Sequence, residues 1–471
     1  MCAPGMTTRR DFLKSAGLYT AGFIGLRELV NRPLGAATAG GGAAFGRRAG
    51  FGPLVDDAAG LFKLPRGFRY TKFGATGAEM ADGLLVPGKH DGMAAFAGAD
   101  GRTLLVCNHE MKSTDVAVGA FGKDLGRLGL VDRAKIYDYG HGIAPHLGGT
   151  TTLVFDTRTQ RLERQFLSLA GTTVNCAGGP TPWGTWVTCE EVGDTPEAHS
   201  EQPHGYNFEV RPTMRPALAD PVPLKAMGRF RHEAVAIDPA SGIVYQTEDV
   251  GDGLLYRFIP KEPGKLAAGG RLQALVVRDR KSADTRNRKT SMFPVGQRLA
   301  VEWIDLEEID NPKGDLRLRG AAAGAAVFAR GEGAWWGNDS VYFAMTDGGR
   351  NASGQIFRYF PSAHEGTALE AATPGAIELF AEPNDTELLR NCDNVTVAPW
   401  GDLIICEDAA AICRIVGITP RGEFYVLGAN VKTSRELTGA CFSPDGTTLF
   451  VNVQNPGYTL AITGPWAERS G

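Results

Sequence analysis

One unit recurs along this chain: a turn containing Gly or Pro, a short apolar run rich in β-branched and aromatic residues, then a carboxylate or amide. Runs of this kind read as strands, and repetition of one strand unit restricts the chain to architectures that array copies of it. The copies are Gly101-Arg102-Thr103-Leu104-Leu105-Val106-Cys107-Asn108-His109-Glu110, Pro182-Trp183-Gly184 through Glu190-Glu191, and Ser241-Gly242-Ile243 through Glu248-Asp249. Val341-Tyr342-Phe343-Ala344-Met345-Thr346-Asp347, Trp400-Gly401-Asp402 through Glu407-Asp408, and Asp445-Gly446 through Gln454-Asn455 complete the series. Several are followed by a second strand, at 254–258, 355–359 and 412–415. With 62 glycines, 27 prolines and no long amphipathic helical period, the expected fold is all-β. Six copies predict a six-bladed β-propeller with insertions between blades, notably between Pro260 and Trp335. Within that insertion the Ala-rich stretch 321–330 is expected to form a short helix.

Propeller geometry turns the pattern into a site. The innermost strands of a propeller converge on a central channel, so equivalent strand ends form a ring, here Glu110, Glu191, Asp249, Asp347, Asp408 and Asn455. Carboxylates a few Å apart repel strongly at low effective dielectric, and bound cations relieve that repulsion. The competing reading is that these acids are turn residues facing solvent. Between Thr173 and Glu191 a Gly/Pro-rich turn carries Cys176 and a strand returns Glu190 and Glu191 toward it. Thiolate with carboxylate suits a transition metal, although many buried cysteines only pack. Strand alternation sends Glu190 to the face opposite Glu191, in a structural role. Arg231-His232-Glu233-Ala234 sets Glu233 in an apolar context. Arg330 and Glu332 share a face if their segment is extended, and together they can hold an oxyanion between guanidinium and metal or form a simple ion pair. His109, His204 and His232 are too scattered for a His-rich zinc site, but His109 and His232 each precede a candidate carboxylate and can support it.

Arg9-Arg10-Asp11-Phe12-Leu13-Lys14, a weakly apolar run from Ala16 to Leu26 and Ala37-Thr38-Ala39 have the order of a twin-arginine export signal. Residues 1–39 are therefore expected to be a signal peptide and 40–471 a single catalytic domain. The apolar run is too short and Gly-rich to span a membrane. Export of a folded protein allows a metal to be loaded beforehand. Of eight cysteines, Cys2 lies in the signal; the seven that remain leave at least one thiol unpaired, with Cys176 the candidate. A net charge of −4 and the lack of a basic stripe give no support to a nucleic-acid partner. Neither a Walker-type loop nor a Gly-x-Ser-x-Gly elbow occurs.

The signal, Asn108-His109-Glu110, the Asn175–Glu191 segment, Arg231-His232-Glu233-Ala234, Phe328-Ala329-Arg330-Gly331-Glu332-Gly333 and the Trp400–Asp408 segment together resemble the PhoX alkaline phosphatases. The resemblance runs in order over nearly the whole mature chain. It implies a monomeric six-bladed propeller with an Fe(III) pair and Ca2+ ions in the channel. Cys176 would ligate iron, with Glu110, Glu191, Glu233 and Glu332 on iron and calcium and Asp393, Glu407 and Asp408 as further ligands. Arg330 would hold the phosphoryl group, and Asn175, His109 and His232 would support the ligands. The expectation is a periplasmic or secreted phosphomonoesterase that releases inorganic phosphate from small-molecule esters. Two other classes stand beside it: a related metallo-propeller hydrolase of phosphodiesters, phosphotriesters or lactones, and a non-catalytic calcium-binding propeller.

Overall fold

The computed structural model describes residues 49–193, 199–289 and 293–469. The twin-arginine stretch and the boundary at residue 40 lie outside them. The short strands pair with their sequence neighbours as antiparallel meanders. His90–Ala97, Arg102–His109, Gly148–Asp156 and Arg161–Thr172 make one sheet, and Asn175–Pro180, Trp186–Glu190 and Asn207–Val210 another. A nine-stranded sheet holds two meanders, one from His232–Ile237 to Gly270–Val277 and one from Gly331–Gly337 to Ala376–Ala381. Arg298–Asp305 joins them, pairing with Gly270–Val277 through one half and with Ala376–Ala381 through the other.

The chain's two ends share sheets. Leu437–Phe442, Thr448–Val453 and Tyr458–Thr463 take the N-terminal strand Arg69–Phe73 as their fourth, with Thr459 opposite Phe73 and Thr463 opposite Arg69. Phe62–Pro65 and Leu54–Val55 extend the sheet of Cys392–Val397, Leu403–Glu407, Arg414–Ile418 and Phe424–Asn430. The first strands of the meanders touch in a closed cycle: His90–Ala97 against Asn175–Pro180, then His232–Ile237, Gly331–Gly337, Cys392–Val397, Leu437–Phe442 and back to His90–Ala97. The architecture is an all-β, propeller-like arrangement of sheets.

Apolar side chains fill the wedges between sheets, as where Leu105 and Phe155 meet Phe450, and where Val106 and Leu169 meet Trp186 and Phe208. Trp335 packs against three such clusters and so lies near the axis. Beside it the first strands approach closely. A Cβ on Gly92 would stand 2.5 Å from Ala177 Cα, and one on Gly333 2.7 Å from Asp393 O. Only glycine allows that approach.

The helix in the long insertion is Leu316–Ala322, not 321–330. Gly324 turns the backbone to φ +115°, and beyond it Val327 and Phe328 bridge Asp284 and Gly253 as extended chain. Strand pairing overrides alanine propensity there. The seven described cysteines are all buried, unpaired thiols. Among the described residues no helix is long and apolar enough to cross a membrane.

Candidate metal centre

A backbone irregularity builds the site. In five meanders the first strand slips register just past a paired position: His90/His109, Asn175/Glu190, His232/Glu248, Gly331/Met345 and Cys392/Glu407. Each slip leaves two residues unpaired: Asp91-Gly92, Cys176-Ala177, Glu233-Ala234, Glu332-Gly333 and Asp393-Asn394. Bulges re-aim side chains, and here the first residue of each pair lines one cavity. In the last meander Thr438 still pairs with Asn452 and the slip comes one residue later, at Gly439.

A second set of positions flanks the first. The residue just past each second strand donates its N–H to the residue before the paired position. Glu110 donates to Lys89 O, Glu191 to Val174 O, Asp249 to Arg231 O, Thr346 to Arg330 O, Asp408 to Asn391 O and Gln454 to Glu436 O. Sequence and backbone together thus deliver acids from two sets of equivalent positions to one place.

The cavity has a volume of about 240 Å³. Nine carboxylates, Cys176, Arg231 and Arg330 line it. Cys176 Sγ lies 3.2 Å from Glu191 Oε2, and Arg231 pairs with the other oxygen of that carboxylate. Arg330 donates from Nε and Nη2 to Asp249 at 2.8 and 2.7 Å, and from Nη2 to Glu332 Oε1 at 2.8 Å. Gln454 Nε2 bridges Asp91 and Glu110, at 3.2 and 2.8 Å, and reaches Glu436. Burial, then the neighbouring carboxylates, raise Asp91, Glu233, Glu332 and Glu436 well above the usual carboxylate range. Burial and Asp249 push Glu191 up to about 7. Burial with Glu233 and Glu191 likewise raises the Cys176 thiol.

This donor set fits metal ions. Glu110, Cys176 and Glu191 each present a ligand atom within 4.8 Å of the others. So do Asp91, Glu110 and Glu436, and so do Glu233, Glu332 and Asp393. The first group combines soft and hard donors, as a transition metal takes; the other two are all oxygen, as calcium takes. Two guanidiniums do not neutralise nine carboxylates, and cations would.

Most residues expected from sequence meet here: Glu110, Cys176, Glu191, Glu233, Glu332, Asp393, Asp408 and Arg330. Glu407 does not. Fully buried, it accepts from Arg414 Nε at 2.8 Å and Nη2 at 2.6 Å and from Arg390 N at 2.8 Å. Strand alternation explains the correction, because Asp408 takes the cavity side and Glu407 the opposite one. Arg414→Met is expected to destabilise the fold by about 3–5 kcal/mol, by leaving Glu407 buried without its partner. Denaturant unfolding measures this, and bound metal should stay unchanged.

Asp347 is likewise one residue too far. Thr346 holds the equivalent position, and Asp347 pairs with Arg288 at 2.5 Å. Gln454 rather than Asn455 enters from the last meander. None of the three expected supports bonds a cavity carboxylate. His109 meets Gly88 O and Thr151 Oγ1, both at 2.9 Å; His232 meets Gly228 O and stacks on Phe230; Asn175 holds Thr172 and Thr188. All three sit at the paired position before the bulge, with side chains turned the other way. Asp91, Glu436 and Arg231 were not expected. His90-Asp91-Gly92 carries a usable signal, a ligand residue followed by a small one as in Glu332-Gly333 and Cys176-Ala177.

A fourth donor group, Asp138, His146 and His204, stands apart. His204 lies between Glu190 and Asp138, with Nδ1 2.7 Å and Nε2 3.1 Å from their oxygens. Glu190 also accepts from the backbone of Thr173, Gly205 and Tyr206, so it ties loops together. Burial opposes charge on His204, but Glu190 and Asp138 outweigh it and push its pKa up to about 10. Folded protein therefore keeps a proton that unfolded chain releases above the ordinary value of 6.5. That stabilisation is complete below pH 6.5 and is lost as pH rises toward about 10. His204→Gln should flatten the decline of Tm with pH across this window, as a series of thermal melts would show.

Fold and site together define an all-β protein with a cavity lined by metal-ligating side chains. The chain belongs to the alkaline phosphatase PhoX family, whose profile matches residues 49–154 and 149–457. It is similar in structure to Pseudomonas fluorescens PhoX in complex with vanadate, a transition state analogue, at 19% identity and a TM-score of 0.63. That similarity covers 88% of this chain and 98% of the other. The chain is also similar to XC5397, a gluconolactonase from Xanthomonas campestris, at 13% identity and a TM-score of 0.39, covering 89% and 99% of the two chains. No curated protein matches it in sequence.

Proposed function

We propose that the chain is an exported, metal-dependent phosphomonoesterase: a six-bladed β-propeller spanning 40–471, released from a twin-arginine signal at 1–39 and working as a monomer in the periplasm or outside the cell. The observation that carries this reading is the convergence of three donor groups in one cavity beneath a half-exposed arginine. Family membership supports the phosphatase activity, and the cycle of first strands supports the blade count.

Cys176 with Glu110 and Glu191 would hold iron. Glu233, Glu332 and Asp393, and Asp91 with Glu436, would complete an Fe(III) pair and hold Ca2+, with Asp408 at the rim. Bound there, metal ions would supply Lewis acidity and offset the phosphoryl charge. The protein's own groups do the rest. The bulges fix Asp91, Glu233, Glu332 and Asp393 on strands rather than loops, which preorganises them. Asp249 and Glu332 orient the Arg330 fork, whose Nη1 bonds no acceptor among the described residues and would be free to meet phosphoryl oxygens. Trp335 and the close-packed glycines narrow the channel beneath.

Elemental analysis of the exported protein tests the proposal. Iron together with calcium supports it, whereas calcium alone would favour a binding propeller or another hydrolase.

A further inference from the structure

Arg330 has a structural twin. Arg231-His232-Glu233 repeats Arg330-Gly331-Glu332 at the same register, since Asp249 N donates to Arg231 O as Thr346 N donates to Arg330 O. The strands that follow, His232–Ile237 and Gly331–Gly337, pack side by side. Each guanidinium also reaches back to the carboxylate just past the second strand of the preceding meander. Arg330 takes Asp249, and Arg231 takes Glu191. Both line the same cavity, and their side chains are similarly exposed, 43% for Arg231 and 39% for Arg330. The remaining lining is carboxylate and thiol.

Arg231 differs in one respect. Its Nε–H is buried and meets no acceptor among the described residues. A buried donor without a partner is destabilising, and an incoming acceptor removes that cost. Glu191 is a shared acceptor, touching Cys176 through one oxygen and Arg231 through the other. Once Glu191 shares its charge with a cation, its hold on Arg231 weakens.

Resting on the phosphomonoesterase reading, we infer that Arg231 is a second oxyanion-binding residue, which with Arg330 grips the phosphoryl oxygens of the substrate from adjacent positions on the rim. This arrangement sets substrate class. A phosphomonoester offers three non-bridging oxygens and up to two negative charges, whereas a diester offers two oxygens and one charge. Two forked guanidiniums on one rim favour the monoester.

The test is calorimetric titration of the metal-loaded mature protein with inorganic phosphate, for wild type, Arg231→Gln and Arg231→Lys. Elemental analysis and kinetics on p-nitrophenyl phosphate and bis-p-nitrophenyl phosphate accompany it. Arg231→Gln should weaken phosphate about tenfold or more at unchanged metal content, raise KM more than it lowers kcat, and reduce the monoester-to-diester ratio of kcat/KM. Arg231→Lys, which keeps the charge but not the fork, should fall between, and it carries the test if the glutamine variant does not fold. Phosphate affinity within about twofold of wild type would overturn the inference. Loss of metal along with phosphate would also overturn it, by assigning Arg231 to holding Glu191. A wild type that binds phosphate through Arg231 but hydrolyses no ester would sink the phosphatase reading and leave this one standing. An active wild type whose phosphate affinity ignores Arg231 would do the reverse.

Discussion

Arg330→Ala is expected to lower kcat/KM for a phosphomonoester about a thousandfold, the scale found when a preorganised charge at a phosphoryl-transfer centre is removed. Three properties concentrate the effect in this residue. Its backbone is fixed in the left-handed region at φ 50°, with its N–H on Val250 O and its C=O taking Thr346 N. Its side chain is clamped by Asp249 and Glu332. Its side chain stays 39% exposed while lining the cavity, so a substrate's phosphoryl group would be able to reach it. Metal content should be unchanged, because Arg330 supplies no ligand atom and bonds one oxygen in the donor groups, Glu332 Oε1. Arg330→Lys should recover little, since an ammonium cannot serve two acceptors in the fork's plane. Steady-state kinetics beside elemental analysis would show whether activity falls alone. A fall in both would mean that Arg330 organises ligands rather than substrate.

Cys176→Ala is expected to remove bound iron and with it nearly all activity, while the fold survives. The thiol is buried among Glu233, Glu191 and Glu110, which oppose a second negative charge, so only a cation makes its thiolate favourable there. Without that soft donor the neighbouring carboxylates suit calcium. The variant should therefore keep calcium, lose iron and stay folded, since its side chain is small and, among the described residues, its Sγ hydrogen-bonds only to Val174 O and Glu191. Elemental analysis and thermal melts measure these separately.

The two outcomes together explain what could be read from the sequence. Strand units with acids at their ends are local patterns, so the meanders and most of the residues that line the cavity were legible. Cys176 stood out in its Gly/Pro-rich turn ahead of Glu190 and Glu191, and Glu332 through its two-residue spacing from Arg330. Register was not legible. A bulge decides which of two adjacent side chains enters the cavity, and no local propensity marks it. That is why Asp408 lines the site while Glu407 binds Arg414, and why Thr346 stands where Asp347 was expected. The same one-residue alternation turns His109, His232 and Asn175 away. Asp91 and Glu436 come from the ring's first and last meanders, far apart in sequence, and only closure through Arg69–Phe73 and Tyr458–Thr463 brings them together. Arg231 went unassigned because its equivalence to Arg330 depends on both bulges.

Release of inorganic phosphate from a chromogenic phosphomonoester, measured in parallel for wild type, Cys176→Ala and Arg330→Ala of known metal content, tests the central claim most directly. The account predicts an active wild type, an inactive Cys176→Ala depleted in iron, and a metal-replete Arg330→Ala of greatly reduced activity. Equal rates in all three proteins would contradict it.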